Sequence, residues 1–231
     1  MMKPFAINIG NFMLSEPVTA ISDLLLAVFC LAIVASFRKF RKLENSVYSW
    51  QVFFLLMGAS TFIGVIVHGF RYYQSIPVHD NTWMLMNVIA GVSIYFAQLA
   101  TSRSILKNSK NGAILRKIAA AQIVVYLILI LIFRSFNVVK IQVAAGMVPV
   151  MIIYFYDFKK GVQGGAWLGT GIALSFVPAV FHSLKVTISE NWFNHNDISH
   201  VFIGASFALI SYGISIRLKA EEEVKKVSIA D

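Results

Sequence analysis

Seven long apolar runs, separated by short polar stretches, make up most of this chain. A helix needs about 20 mostly apolar residues to cross a bilayer. The runs near 17–37, 48–70, 82–102, 114–133, 137–156, 162–184 and 197–216 all come close to that length. The pattern predicts an all-α fold, a polytopic membrane protein built as a seven-transmembrane-helix bundle. Because the connections are short, residues 1–231 read as a single transmembrane domain, with 217–231 a charged helical extension that frays. Pro149 and Pro178 fall inside runs and are expected to kink the fifth and sixth helices. No internal repeat is visible, which argues against a transporter made of inverted halves.

Composition reinforces this reading. The chain is 58% hydrophobic and only 13% charged, against roughly one-quarter charged residues in soluble domains. A formal charge of +9 would suggest nucleic acid as a partner of a soluble protein. No nucleic-acid motif accompanies it, and the positive-inside rule accounts for the charge. With the N-terminus outside and the C-terminus inside, fifteen Lys and Arg fall on the inner side and five outside, namely Lys3, Arg71, Arg134, Lys140 and Lys185. That balance predicts N-outside insertion and fits a bacterial inner membrane. Cys30 is the sole cysteine, so no intramolecular disulfide exists. The opening "MMKPFAINIGNFMLSEP" lacks a basic start, a continuous apolar core and a small-residue cleavage site, and reads as a mature N-terminus.

The candidate chemistry collects at one end. All five histidines, 68, 79, 182, 195 and 200, fall in the outer half of this topology, with Glu16, Thr19, Ser22 and Asp23 at the outer entrance of the first helix. At 1.5 Å per residue, Asp23 lies about 9 Å below Pro17 and His200 roughly 6 Å below Asn196, so the groups share one layer. A carboxylate within a span costs roughly 2.5–3.5 kcal/mol on insertion scales, so Asp23 should face the bundle and find a partner. Thr19 shares its helical face, while Ser22 is turned about 100° away.

The segment "NWFNHNDISH" at 191–200 is equally dense in donors and acceptors. Asn196, Asp197 and His200 can point to one side of the last helix, and Asn196 or Asp197 is expected to cap its start. Two readings stay open. His68 and His200, completed by His182, His195 or Asp197, would hold a divalent ion, with zinc favoured by imidazole and carboxylate ligands. Otherwise the same groups form a hydrogen-bonded network tying helices together. Asn87, Gln98, Gln122, Gln142 and Gln163 are expected to bond between helices, and His79 to be a solvated loop residue.

Histidines at the outer ends of the second and seventh helices, an acid in an early helix and seven spans together resemble the CREST superfamily, which includes the alkaline ceramidases and adiponectin-receptor relatives. "EPVTAISD" with "FNHNDISHV" also resembles a family of bacterial seven-helix membrane proteins whose chemistry is not assigned. The first resemblance implies a zinc-dependent hydrolase of a lipid amide or ester. His68 would be the early-helix ligand and His200 the second histidine of the last-helix motif.

The chain departs from that pattern at three places. Gly64 stands where the serine four residues before the early histidine is expected, Asn196 where the last helix would carry its first histidine, and Asp23 must replace an aspartate of the third helix. The leading expectation is therefore an intramembrane Zn2+-dependent hydrolase. Its substrate would be a membrane lipid, with Asp23 as general base or water-orienting group and Thr19 or Ser22 supporting the oxyanion. The other is a non-enzymatic seven-helix receptor, sensor or small-ligand-binding protein using the same pocket. A retinal pigment is disfavoured because the last span has no buried lysine.

Overall fold

The computed structural model describes residues 5–40, 45–107 and 109–230, with side chains as far as 226. Lys3, Arg41 and Lys42, counted in the charge balance, and Asp231 of the tail lie outside the described residues.

A two-stranded antiparallel hairpin opens the described chain, β1 (Ala6–Ile9) pairing with β2 (Phe12–Ser15). Its two-residue turn, Gly10–Asn11, has Gly10 at φ +62°, the left-handed conformation that a glycine adopts without steric penalty. Eight α-helices follow: α1 (Pro17–Ser36), α2 (Asn45–Gly69), α3 (Ile76–Ser104), α4 (Lys110–Phe133), α5 (Phe136–Lys159), α6 (Gly165–Leu174), α7 (Val177–Leu184) and α8 (His195–Ala230). Taken with α6 and α7 as one segment, seven helices among the described residues are long and apolar enough to cross a membrane.

Three boundaries differ from expectation for local reasons. The sixth span is divided at Ser175–Phe176. Pro178 lacks the N–H that would bond to Leu174, and its ring crowds that carbonyl, so α7 restarts with the proline in its first turn. Pro149, by contrast, lies inside uninterrupted α5. The third helix begins at Ile76, with Pro77 in its first turn, and so takes in His79 and Asp80. His79 is a half-buried first-turn residue beside Asp80, not part of a loop. The tail continues α8 to Ala230.

Helix pairs approach closely at small side chains, the kind of packing that apolar helices use where no hydrophobic drive separates partner from surroundings. A Cβ at Gly58 of α2 would touch the Cys30 Cβ of α1 at 3.0 Å, and one at Gly213 of α8 would lie 2.9 Å from Gly164 O of the α5–α6 turn. The core is aromatic, with Trp50, Phe53 and Phe54 of α2 packed on Phe37, Tyr154 and Phe207. Around the middle, Gln98, Gln122 and Gln142 link α3, α4 and α5 through bonds of 3.0 Å, and Gln142 Nε2 donates to Gly91 O. Asn87 instead donates within its own helix, and Gln163 sits in the turn between α5 and α6. The outward faces are apolar: Leu24, Leu25, Val28 and Leu31 of α1 are all exposed, and so are Val124, Val125, Ile128 and Leu131 of α4.

Candidate functional site

The polar residues of the first helix are positioned by the turn that begins it. Glu16 adopts φ 41°, ψ 57° just ahead of Pro17, an uncommon conformation for a residue with a side chain and one disfavoured before proline. Its N–H donates to Phe5 O, which ties the hairpin to the helix start. This geometry brings the Glu16 carboxylate to His68 Nδ1 at the end of α2. Burial alone would raise the Glu16 carboxyl. The hydrogen bond and charge of His68, with the charges of His195 and His79, hold it below its ordinary value of 4.5.

One turn into α1, Thr19 Oγ1 donates to Asp197 Oδ1 at 2.6 Å. Asp197 Oδ2 accepts from the Asn194 N–H at 2.8 Å, and Asn194 Oδ1 accepts from the Asn196 N–H at 2.7 Å. These two bonds form a capping box, so the cap of α8 is Asn194, rather than Asn196 or Asp197. Asp197 thereby has a structural partner on each oxygen.

Ser22, turned away from Thr19 as its helical phase requires, reaches His200 Nδ1 at 2.7 Å and also donates to Thr19 O at 3.0 Å. A serine has one proton to give. Spent on the Thr19 carbonyl, it leaves His200 Nδ1 as the donor and the Nε2 lone pair toward Asp23. This tautomer is assigned from the hydrogen-bond pattern. Nε2 stands 3.5 Å from Asp23 Oδ1. Two acceptors facing each other at that distance call for a proton or a cation between them.

Asp23 is 3% exposed, and its Oδ2 has no hydrogen-bond partner among the described residues. It rests against Gly64, where any Cβ would overlap the carboxylate. The glycine at the position where the resemblance expects serine is thus the space into which Asp23 fits.

Asp23, His68 and His200 line one side of a cavity of about 380 Å³. Its floor is apolar, formed by Phe53, Met57, Ile94, Met147, Phe207 and Ile210. Other polar side chains on its wall are satisfied within the bundle: Ser60 donates to Met86 O, Asn87 to Trp83 O, Ser199 to His195 O and Ser206 to Gly171 O. His182 and His195 line the same cavity nearer the helix ends, their rings 5.1 Å apart, with His182 also 4.3 Å from the Phe136 ring.

The structure therefore separates the expected site residues into two groups. Thr19, Ser22, Asp23, His68, Asp197 and His200 belong to one hydrogen-bonded and electrostatic cluster, while His182 and His195 stand together at the mouth. Sequence reasoning missed two participants. Glu16 was placed only at the helix entrance, although an acid just outside a span opposite a histidine is a natural partner. Lys140, in the charge balance only an outer-side cation, lines the cavity.

As a test for a metal, the donor chemistry fits better than the present spacing. His68 and His200 each have Nδ1 held by an oxygen, as ligating histidines do, which leaves Nε2 for an ion beside a carboxylate. As the side chains stand, no group of three or more His, Cys, Asp or Glu among the described residues is arranged to hold one.

Seven apolar helices around a cavity with a polar head define a class, the seven-helix bundles with the apolar exterior of integral membrane proteins. Within it, the chain belongs to the family of unknown function DUF6962, whose model matches residues 18–219. No curated protein and no solved structure matches the chain.

Proposed function

We propose that this protein is an intramembrane hydrolase of a lipid amide or ester that uses a divalent ion, zinc first, at the polar end of the cavity. One observation carries the reading: the buried Asp23 carboxylate, whose Oδ2 has no partner among the described residues, sits with Oδ1 beside His200 Nε2, and His200 and His68 have their other ring nitrogens fixed by Ser22 and Glu16. His68 and His200 would hold the ion through Nε2. When bound, zinc would supply a water of lowered pKa and polarise the scissile carbonyl.

The chain's own groups do the rest. Asp23 Oδ2 takes a proton from the attacking water and returns it to the leaving nitrogen or oxygen as the acyl carbon gains the hydroxyl. Ser22 and Glu16 orient the two imidazoles, and Thr19 fixes Asp197 and so the start of α8. The apolar floor accommodates an acyl chain. Lysine and arginine asymmetry supports insertion with the hairpin end outside, and with it a site in the outer leaflet of a bacterial inner membrane.

A second reading, a non-enzymatic receptor or binding protein, is favoured by the pairing of Glu16–His68, Thr19–Asp197 and Ser22–His200, which ties α1, α2 and α8 together without an ion. Metal content by inductively coupled plasma mass spectrometry separates the two. The hydrolase reading expects one zinc per chain, lost in His68→Ala and His200→Ala, and release of fatty acid from lipid amides or esters. Folded wild-type protein that takes up no metal from a zinc solution overturns it in favour of the second.

A further inference from the structure

Lys140 lies four residues past the start of α5, within an apolar span, where a lysine usually extends to the membrane surface. Here it is half-buried and lines the cavity. Nζ donates to Ser183 Oγ at 2.8 Å and lies 5.5 Å from the Phe136 ring centroid, and no ion pair joins it to a carboxylate among the described residues. His182 lies 4.3 Å from the same Phe136 ring, tilted at 43°, and His195 stands against His182. The charged groups acting on His182 are all basic: His195, Lys140 and Lys185. Glu16 and Asp197 reach only the His195 side, and each already has a partner.

Along α8, His200 lies five residues beyond His195, about 7.5 Å further in. The cavity thus carries two polar stations of opposite character, a basic one at the helix ends and the Asp23 group deeper, with an apolar floor below.

We propose that the cavity selects an amphiphile whose head group is an oxyanion, carboxylate or phosphate, seated on Lys140 Nζ with His182 and His195. This rests on the cavity being the substrate site proposed above and names the substrate class: a lipid amide or ester with an anionic head. A ligand oxyanion would give Lys140 the charge partner that the described residues do not provide, while both imidazoles can donate to the same group whether charged or neutral.

The test uses the full chain in phosphatidylcholine nanodiscs without added metal, so it reads binding and is independent of turnover. Dodecanoate, dodecyl phosphate and dodecanol are titrated while following the intrinsic tryptophan fluorescence, to which Trp83 on the cavity wall contributes. At least one anion should bind about tenfold or more tightly than the alcohol, as expected for a charge-assisted hydrogen bond. The ratio between the two anions identifies which oxyanion fits. Lys140→Met should abolish the preference and keep the dodecanol affinity, Lys140→Arg should retain it, and Lys159→Met, on an exposed residue at the other end of α5, should leave it intact. Equal affinity for dodecanol and both anions overturns the proposal, as does a preference that survives Lys140→Met. Either result leaves the metal and hydrolysis measurements to decide the hydrolase reading separately.

Discussion

The Asp23 carboxylate lies directly on Gly64, so closely that a Cβ on residue 64 would occupy the place of its oxygens. One turn further along α2 is His68, so the glycine lets a carboxylate from α1 stand beside an imidazole of α2. Gly64→Ala should displace Asp23 and destabilise the fold by about 1–3 kcal/mol, the usual range for overpacking. Asp23→Ala in the same chain should recover most of that loss. Thermal unfolding of the two single variants and the double variant measures the coupling, and additive losses would show that the two residues do not share the space.

The Glu16–His68 pair predicts an acid-dependent stability. Glu16 titrates lower in the folded state than its ordinary value of 4.5, so its contribution is complete above that pH and fades as pH falls through the folded value. Wild type should therefore melt higher than Glu16→Gln at neutral pH, with the difference shrinking below about pH 4.5. A constant difference at every pH would mean the carboxylate charge is not what stabilises.

Ser22 orients His200, and under the proposed function it should matter for an ion it never touches. Ser22→Ala is expected to weaken zinc binding about 10- to 100-fold while the protein stays folded, the usual effect of losing an outer partner of a ligating histidine. Competition with a chromogenic chelator reads the affinity. An unchanged affinity would remove Ser22 from the site.

At the opposite end, Arg217 Nη1 of α8 meets Asp157 Oδ2 of α5 at 2.5 Å, both largely buried. Removing one member of such a pair leaves the other charge unpaired, so Asp157→Leu should cost about 3–5 kcal/mol. Asp157→Leu with Arg217→Met should regain most of it. Denaturant unfolding in detergent compares them, and a double variant as unstable as the single one would contradict this account.

The helices were largely legible because each is a long apolar run, a signal that needs no knowledge of neighbours. Their starts were less so. "IPVHDN" looks like a loop because it is polar and contains proline, yet proline is favoured in a first turn, where its missing N–H is not needed. The hairpin carried its signal in Gly10–Asn11, a known turn pair, but its four-residue strands were too short to stand out beside α1. "NHND" holds several residues able to cap α8, and composition does not choose among them. Helical phase correctly put Thr19 and Asp23 on one face. It said nothing of which face of α8 they would meet, because that is settled by packing between helices at opposite ends of the chain.

Thr19 and Asp197 are separated by 178 positions, as are Ser22 and His200. During synthesis the first helix leaves the ribosome long before the last one exists, so Asp23 spends nearly the whole period of translation without the imidazole it faces in the finished protein. Assembly of the cluster is therefore a closing step, in which α8 docks against an acid already waiting on α1. A chain truncated before α8 would keep the cost of that acid with only His68 of α2 to offset it, and would lack the His200 imidazole that faces it in the finished protein.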